Sequence, residues 1–250
     1  MAKPIAKAVQ SFASQIYVYD PNENTKAYCD KNNYIYCDNN IKLTQQCSLV
    51  LLLIKPQVMH HALSEIAPHA SAKCFVSFAP GITIDALKCT LGNNAHVMRA
   101  MPNTPMQLGF GATALAEPCP LIPIAYVQLL ENAFSSVGIC VRVKESQLDM
   151  TIALSGSTPA LFYQLVNHIA QFGEQLNIPA ETALLLATQA MRGAAEMLLT
   201  YPNPDKLSAE VASKGGTTEH MLHTLNSNDF YAALHDGLTA CLTRAKELSS

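Results

Sequence analysis

Strand-like and helix-like segments alternate through the first part of this chain, and after about residue 145 the strands stop. Residues 16–19, 34–37, 49–54, 74–78, 96–100, 111–116 and 139–143 are short and apolar. Helical spacing fills 2–14, 58–66, 83–91 and 124–134 between them. Such alternation is the pattern of a parallel α/β sheet, in which each strand returns to its neighbour through a helix. Thr83 is placed to cap one of these helices and Gly92 to end it. Beyond Glu145 only helical spacing remains, over 147–154, 159–176, 179–201, 217–225 and 230–248. The chain therefore reads as an α/β domain over 1–144 and an all-helical domain over 145–250.

The helical half is apolar beyond what it can bury alone. Ala183, Ala187, Ala190, Ala194 and Ala195 recur at helical intervals, and rows of small residues let helices approach closely. A helix as long and apolar as 179–201 buries poorly in a domain of this size, so a helical dimer interface is expected. Charged residues make up 14% of the 250 and the formal net charge is −3. That balance gives no electrostatic footprint for nucleic acid or an anionic membrane surface. No apolar run approaches the roughly 18 residues of a membrane span. The eight cysteines form no Cys-x-x-Cys pair, and no apolar leader follows Met1-Ala2-Lys3-Pro4. A reducing cytoplasm is the expected compartment.

Four loops have the composition of ligand-receiving segments. Lys55-Pro56-Gln57 and Ala79-Pro80-Gly81 each follow a buried strand, and open α/β sheets bind ligands outside the carboxyl ends of their strands. Met101-Pro102-Asn103-Thr104-Pro105 sets two prolines around a polar pair, a stiff loop suited either to positioning or to plain connection. Ser213-Lys214-Gly215-Gly216-Thr217-Thr218 opens a helix. Its glycines let a ligand approach the backbone, and the helix start offers unpaired N–H groups to a carboxylate or phosphate. An ordinary capped helix would read the same way. His220 and His223 share a helix face, but apart from Glu219 no further ligand at suitable spacing completes a metal set, so no metal is assigned.

Together these segments resemble the pyrroline-5-carboxylate reductase family. The resemblance runs through Ile54-Lys55-Pro56-Gln57, Ala79-Pro80-Gly81-Ile82-Thr83, Arg99-Ala100-Met101-Pro102-Asn103-Thr104-Pro105, Ala153-Leu154-Ser155-Gly156-Ser157-Thr158-Pro159-Ala160 and residues 213–218, in family order, and covers nearly the whole chain. It implies a Rossmann-like domain followed by an all-helical substrate and dimerisation domain. It also implies reduction of 1-pyrroline-5-carboxylate to L-proline by NADPH or NADH, in a homodimer or larger homo-oligomer. Hydride would pass to an imine carbon made electrophilic by protonation of the ring nitrogen, so positioning is the protein's main task. By the same resemblance, the substrate carboxylate would rest on the backbone of Gly215, Gly216 and Thr217. Thr218 would hydrogen-bond the ring nitrogen, and Glu145 would lie near the substrate. The cofactor would be met by Lys55, Pro56, Phe78, Ala79, Pro80 and Asn103, with Asn40 and Asp20 toward its adenosine end. The glycine–threonine segment would face the nicotinamide across the substrate.

The chain departs from the family pattern at its start. The family opens with a strand and a Gly-x-Gly turn that cradles the cofactor pyrophosphate, whereas Met1-Ala2-Lys3 aligns with the end of that motif. The first strand is central in the doubly wound order, so strands 16–19 and 49–54 would lose their shared partner unless they close up on each other. Met1 is then either an internal methionine of a longer active protein or the start of a remnant that dimerises without holding the cofactor. Smaller departures are Lys214 for a common proline, Thr158 for glycine, Leu161 for tyrosine and Pro80 for alanine. A third reading, a 3-hydroxyacid dehydrogenase, would need a catalytic lysine in the helical half, where Lys214 is poorly placed.

Overall fold

The computed structural model describes residues 1–247. These form two compact units, one of Met1–Ser157 with the chain end from Cys241, the other of Thr158–Ala240. The sequence boundary near 144 marks where strands cease. The compact boundary falls later because Leu148 is buried with Met101, Ala114 and Ala116, which holds residues 145–157 to the sheet.

In the first unit the order is α1 (Ala2–Gln10), β1 (Tyr17–Val18), α2 (Asn24–Asn32), β2 (Ile35–Tyr36), α3 (Asn40–Gln46), β3 (Leu49–Leu52), α4 (Pro56–Ile66), β4 (Cys74–Ser77), α5 (Ile84–Leu91), β5 (His96–Met101), β6 (Gly111–Ala116), α6 (Ile124–Ser135), β7 (Gly138–Val143) and α7 (Glu145–Leu148). Alternation along the strands divides the core. Cys74 and Val76 of β4 and Met98 and Ala100 of β5 face Ile5 and Ala8 of α1 and Leu130 and Phe134 of α6. Phe75 and Val97 face the other way, onto Met59 and Leu63 of α4 and Leu87 of α5. Helices thus cover both faces, the doubly wound build. Thr83 Oγ1 accepts from the Ala86 N–H at 3.1 Å, and Gly92 ends α5 at φ +89°, as the sequence requires.

Two features differ from a single parallel sheet. First, β6 pairs antiparallel with β5, Ala100 opposite Leu115, so β6 and β7 run against β3, β4 and β5. The loop between β5 and β6 holds only a short 3₁₀ turn at Thr104–Leu108, and a parallel return needs about a dozen residues or more. Second, the strands fall into two sheets, β1-β2 and β3-β4-β5-β6-β7. The strand that stands between β1 and β3 in the doubly wound order is missing from the described sheet, and the two have not closed on each other.

A π-helical turn, Ile152–Gly156, ends the first unit. The second unit is α8 (Thr158–Gln175), α9 (Ala180–Thr200), α10 (Pro204–Val211), α11 (Thr217–Ser227) and the greater part of α12 (Phe230–Glu247). Helices α8 and α9 pack through small residues. Gly173 lies against Ala183, where a Cβ on the glycine would stand 3.0 Å from the alanine Cβ. Helix α10 is an addition to the helices expected from the sequence; it is short, buries no residue of its own and is capped by Asn203, whose Oδ1 accepts from the Lys206 N–H at 3.0 Å. Leu248 lies outside the described residues. No helix among the described residues is long and apolar enough to cross a membrane.

Candidate functional site

Three candidate segments follow neighbouring parallel strands and so share the carboxyl edge of the sheet. After β3, Lys55 is exposed at the N-cap of α4 and Pro56 occupies its first position, where a missing N–H costs nothing. After β4, Phe78 sets its ring edge-on to Phe134 at 6.0 Å. Ala79 is buried and its N–H donates to Ser77 Oγ at 3.3 Å, with Pro80 half-buried beyond. After β5, Asn103 is 8% exposed, and both ends of its amide are used. Its Nδ2 donates to the Ser155 carbonyl at 3.0 Å, and its Oδ1 accepts from the Ala112 N–H at 2.8 Å. Asn103 therefore ties β5 to β6 and to the π-turn.

The same edge carries a cation that the loop reading passed over. Arg99, 1% exposed on β5, donates through Nη2 to Asp149 Oδ1 at 2.8 Å and reaches the Ala79 carbonyl at 3.5 Å. Its Nη1 stands 3.5 Å from Glu145 Oε1. Each carboxylate also accepts a loop amide: Gly81 N–H to Asp149 at 3.0 Å, and Ile84 N–H to Glu145 at 2.6 Å. Glu145 thus joins the start of α5 to Arg99 through Oε1. A signal existed in the sequence: an arginine inside Val97-Met98-Arg99-Ala100-Met101 must be buried, and a buried cation requires carboxylates.

The two residues assigned to the adenosine end lie with β1 and β2. Asp20 is exposed after β1, and its carboxylate accepts from the Asn22 N–H at 2.8 Å. Asn40 opens α3 and its amide donates to Glu65 Oε2 at 2.7 Å.

The helical unit holds the glycine–threonine segment. Gly215 has φ +73°, which an L side chain strains to adopt. A Cβ on Gly216 would come within 2.8 Å of the Ser213 carbonyl oxygen, so glycine is required there by close approach. Gly216 is the N-cap of α11 and makes no side-chain cap bond. Thr217 is exposed and Thr218 half-buried on its first turn. Glu219 reaches back, and its Oε2 accepts from the Gly215 N–H at 2.6 Å. A carboxylate is therefore already seated on this amide.

Known proteins match this arrangement along its length. The family model for pyrroline-5-carboxylate reductase dimerisation matches residues 145–248. Pyrroline-5-carboxylate reductase of Haemophilus influenzae is 32% identical over 242 residues, covering 95% of this chain and 89% of that protein. The chain belongs to the pyrroline-5-carboxylate reductase family. A solved pyrroline-5-carboxylate reductase from Coxiella burnetii superimposes with a TM-score of 0.87 at 30% identity, over 100% of this chain and 95% of that one. The Plasmodium falciparum pyrroline carboxylate reductase, solved with NADP bound, superimposes with a TM-score of 0.88 at 23% identity, over 99% and 94% of the two chains. The Rossmann-like sheet followed by a helical dimerisation domain is thus the fold of the reductase family.

Residues available to a dinucleotide fit that family reading. The carboxyl edge of β3 and β4 is where a doubly wound sheet receives one. Helices α1 and α4 each begin without an acidic residue in the first turn, so their N–H groups meet no competing negative charge. No glycine precedes Gly81, so a glycine turn for the pyrophosphate is not among these residues.

Proposed function

We propose that this chain is an NAD(P)H-dependent reductase that converts 1-pyrroline-5-carboxylate to L-proline. The observation that carries the reading is the match to a named reductase over nearly the full length of both chains. Bound at the sheet edge, the nicotinamide supplies the hydride. Lys55 and Pro56 at the head of α4 meet the cofactor, with Phe78, Ala79 and Pro80 beside them. Asn103 braces that edge through its two hydrogen bonds, while Asp20 and Asn40 serve the adenosine end.

In the helical unit, the substrate carboxylate rests on the amides of Gly215, Gly216 and Thr217. It takes over the hydrogen bond that Glu219 now receives from Gly215. The Thr218 hydroxyl is the hydrogen-bond partner of the ring nitrogen and holds the protonated imine in orientation. Glu145, its carboxylate held by Arg99 and the Ile84 N–H, is the acidic residue assigned to the substrate. Reduction of this cation needs no nucleophile from the protein, so orientation is the source of rate.

The chain works as a homodimer or larger homo-oligomer through its helices, in a reducing compartment that we take to be the cytoplasm. The assay is direct. The purified chain, given NADPH and 1-pyrroline-5-carboxylate, is expected to consume nicotinamide absorbance and yield an equal amount of proline. A second reading, assembly through the helices without dinucleotide binding, draws on the open edges of β1 and β3. Absence of both NADPH binding and turnover would favour it and overturn the reductase reading.

A further inference from the structure

The loop between β4 and α5 is fastened at three places, and all three lead to one buried arginine. The Ala79 carbonyl accepts from Arg99, the Gly81 N–H donates to Asp149, and the Ile84 N–H donates to Glu145. Asp149 and Glu145 are in turn the two anions paired with Arg99. Both anions are partly exposed, and both would be free to move if the guanidinium did not anchor them. A side chain that is 1% exposed on a central strand is among the most rigid supports this unit offers.

We propose that Arg99 and Asp149 are positioning residues for the nicotinamide cofactor. They hold the Ala79-Pro80-Gly81 segment in the one conformation that presents its backbone to the dinucleotide. This rests on the reductase reading above, which assigns Ala79 and Pro80 to the cofactor. Arg99 acts through the loop and touches neither cofactor nor substrate. Asp149 supplies the direct link, because its Oδ1 accepts from Arg99 Nη2 and from the Gly81 N–H together. The Arg99 Nε has no partner among the described residues; Nη2 donates both hydrogen bonds and Nη1 stands against Glu145, a planar spread of contacts that a lysine ammonium cannot reproduce.

Asp149→Ala removes the link to Gly81, whereas Asp149→Asn keeps an oxygen acceptor there. In the full-length ligand-free chain, Asp149→Ala is expected to speed amide hydrogen exchange across residues 78–86. It should also raise both the Kd for NADPH, read by dinucleotide fluorescence, and the KM for NADPH by about 10–100-fold, the loss expected of one hydrogen bond to a charged group. The KM for 1-pyrroline-5-carboxylate should stay within about twofold, since no remote binding contact to substrate is lost. Asp149→Asn should recover most of the loss, and Arg99→Lys should reproduce the faster exchange and the raised Kd for NADPH, with a rise in the KM for 1-pyrroline-5-carboxylate as well because it also releases Glu145. If Arg99→Lys fails to fold, the two Asp149 variants carry the test alone. Unchanged exchange in Asp149→Ala, or an equal rise in both KM values, would overturn the positioning role while leaving the reductase reading intact. A wild-type chain that neither binds nor oxidises NADPH would overturn the reductase reading, and this proposal with it.

Discussion

In the sheet unit Phe75, Phe134, Leu87 and Leu130 are fully buried, whereas in the helical unit Phe172, Leu185 and Leu199 are 62%, 67% and 77% exposed. The first unit closes its core within itself, helices on both faces of the sheet. The second buries Val166, Ala170, Ala183 and Ala187 between α8 and α9 and leaves most large apolar side chains outside. The candidate sites follow the same division. Asn103, Glu145 and Ala79 are pinned by hydrogen bonds within their unit, while the Gly215–Thr218 segment is held by its own backbone and Glu219. One unit supplies a fixed frame, and the other is built to be completed by a partner. The match of residues 145–248 to a dimerisation family agrees with that division.

The sharpest way to break this contrast is to charge the exposed apolar face. Leu185→Asp should shift the protein to monomer in sedimentation. Burying a leucine is worth about 1.5–3 kcal/mol, and a two-fold interface loses it twice, so dimer affinity should fall by roughly 10²–10⁴-fold. An unchanged oligomer would mean that the α9 face at 184–186 is not the assembly surface. The opposite expectation holds in the frame. Asn103→Ala leaves the Ala112 N–H and the Ser155 carbonyl without their partner, at about 1–3 kcal/mol for each group left buried and unsatisfied. Chemical denaturation should show that loss without any change in oligomeric state.

How much of this was legible in the sequence differs by kind of feature. The central strands and the Thr83 cap follow from local pattern, because alternation and a hydroxyl before a helix act over a few residues. Helix α2, Asn-Thr-Lys-Ala-Tyr-Cys-Asp-Lys-Asn, buries Cys29 and little else, so it carries no apolar period to read. The reversal at β6 was not legible either, since it depends on how far the loop after Met101 can reach. The site loops could be found by composition, but what Asn103 and Glu145 grip could not. Their partners lie 9 to 61 residues away, and spacing alone does not bring them together.

Thr218 sharpens the comparison from the helical side. Gly216, not Thr218, is the N-cap of α11, and valine keeps the β-branched shape of threonine, so removing this hydroxyl takes no cap from the helix. Thr218→Val should therefore leave thermal stability near wild type while kcat/KM for 1-pyrroline-5-carboxylate falls about 10–100-fold, the worth of a hydrogen bond to a charged group. Thr218→Ser should restore much of it. Equal losses in stability and activity would make the residue part of the frame.

The smallest effect tests whether the sheet unit is as closed as its packing indicates. Burial pushes the Cys74 thiol up to about 12, and Cys47 and Cys140 up to about 11. An unfolded thiol titrates near 8.5, so below that pH both states hold the proton and the contribution to stability is complete. As pH rises, the unfolded chain loses protons that the folded chain keeps, and stability drains away until the folded thiols titrate near 11–12. Cys74, fully buried, contributes at most about 1.4 kcal/mol per pH unit to that decline. Urea midpoints should fall between pH 9 and 10, and Cys74→Ala should flatten the slope. In the native protein near neutral pH, a thiol reagent should label the exposed Cys89 and Cys119 first and reach Cys74 on unfolding. Labelling of Cys74 as fast as Cys89 would mean that the open edges of β1 and β3 let the sheet unit breathe. The contrast between a closed frame and an incomplete helical unit would then fail.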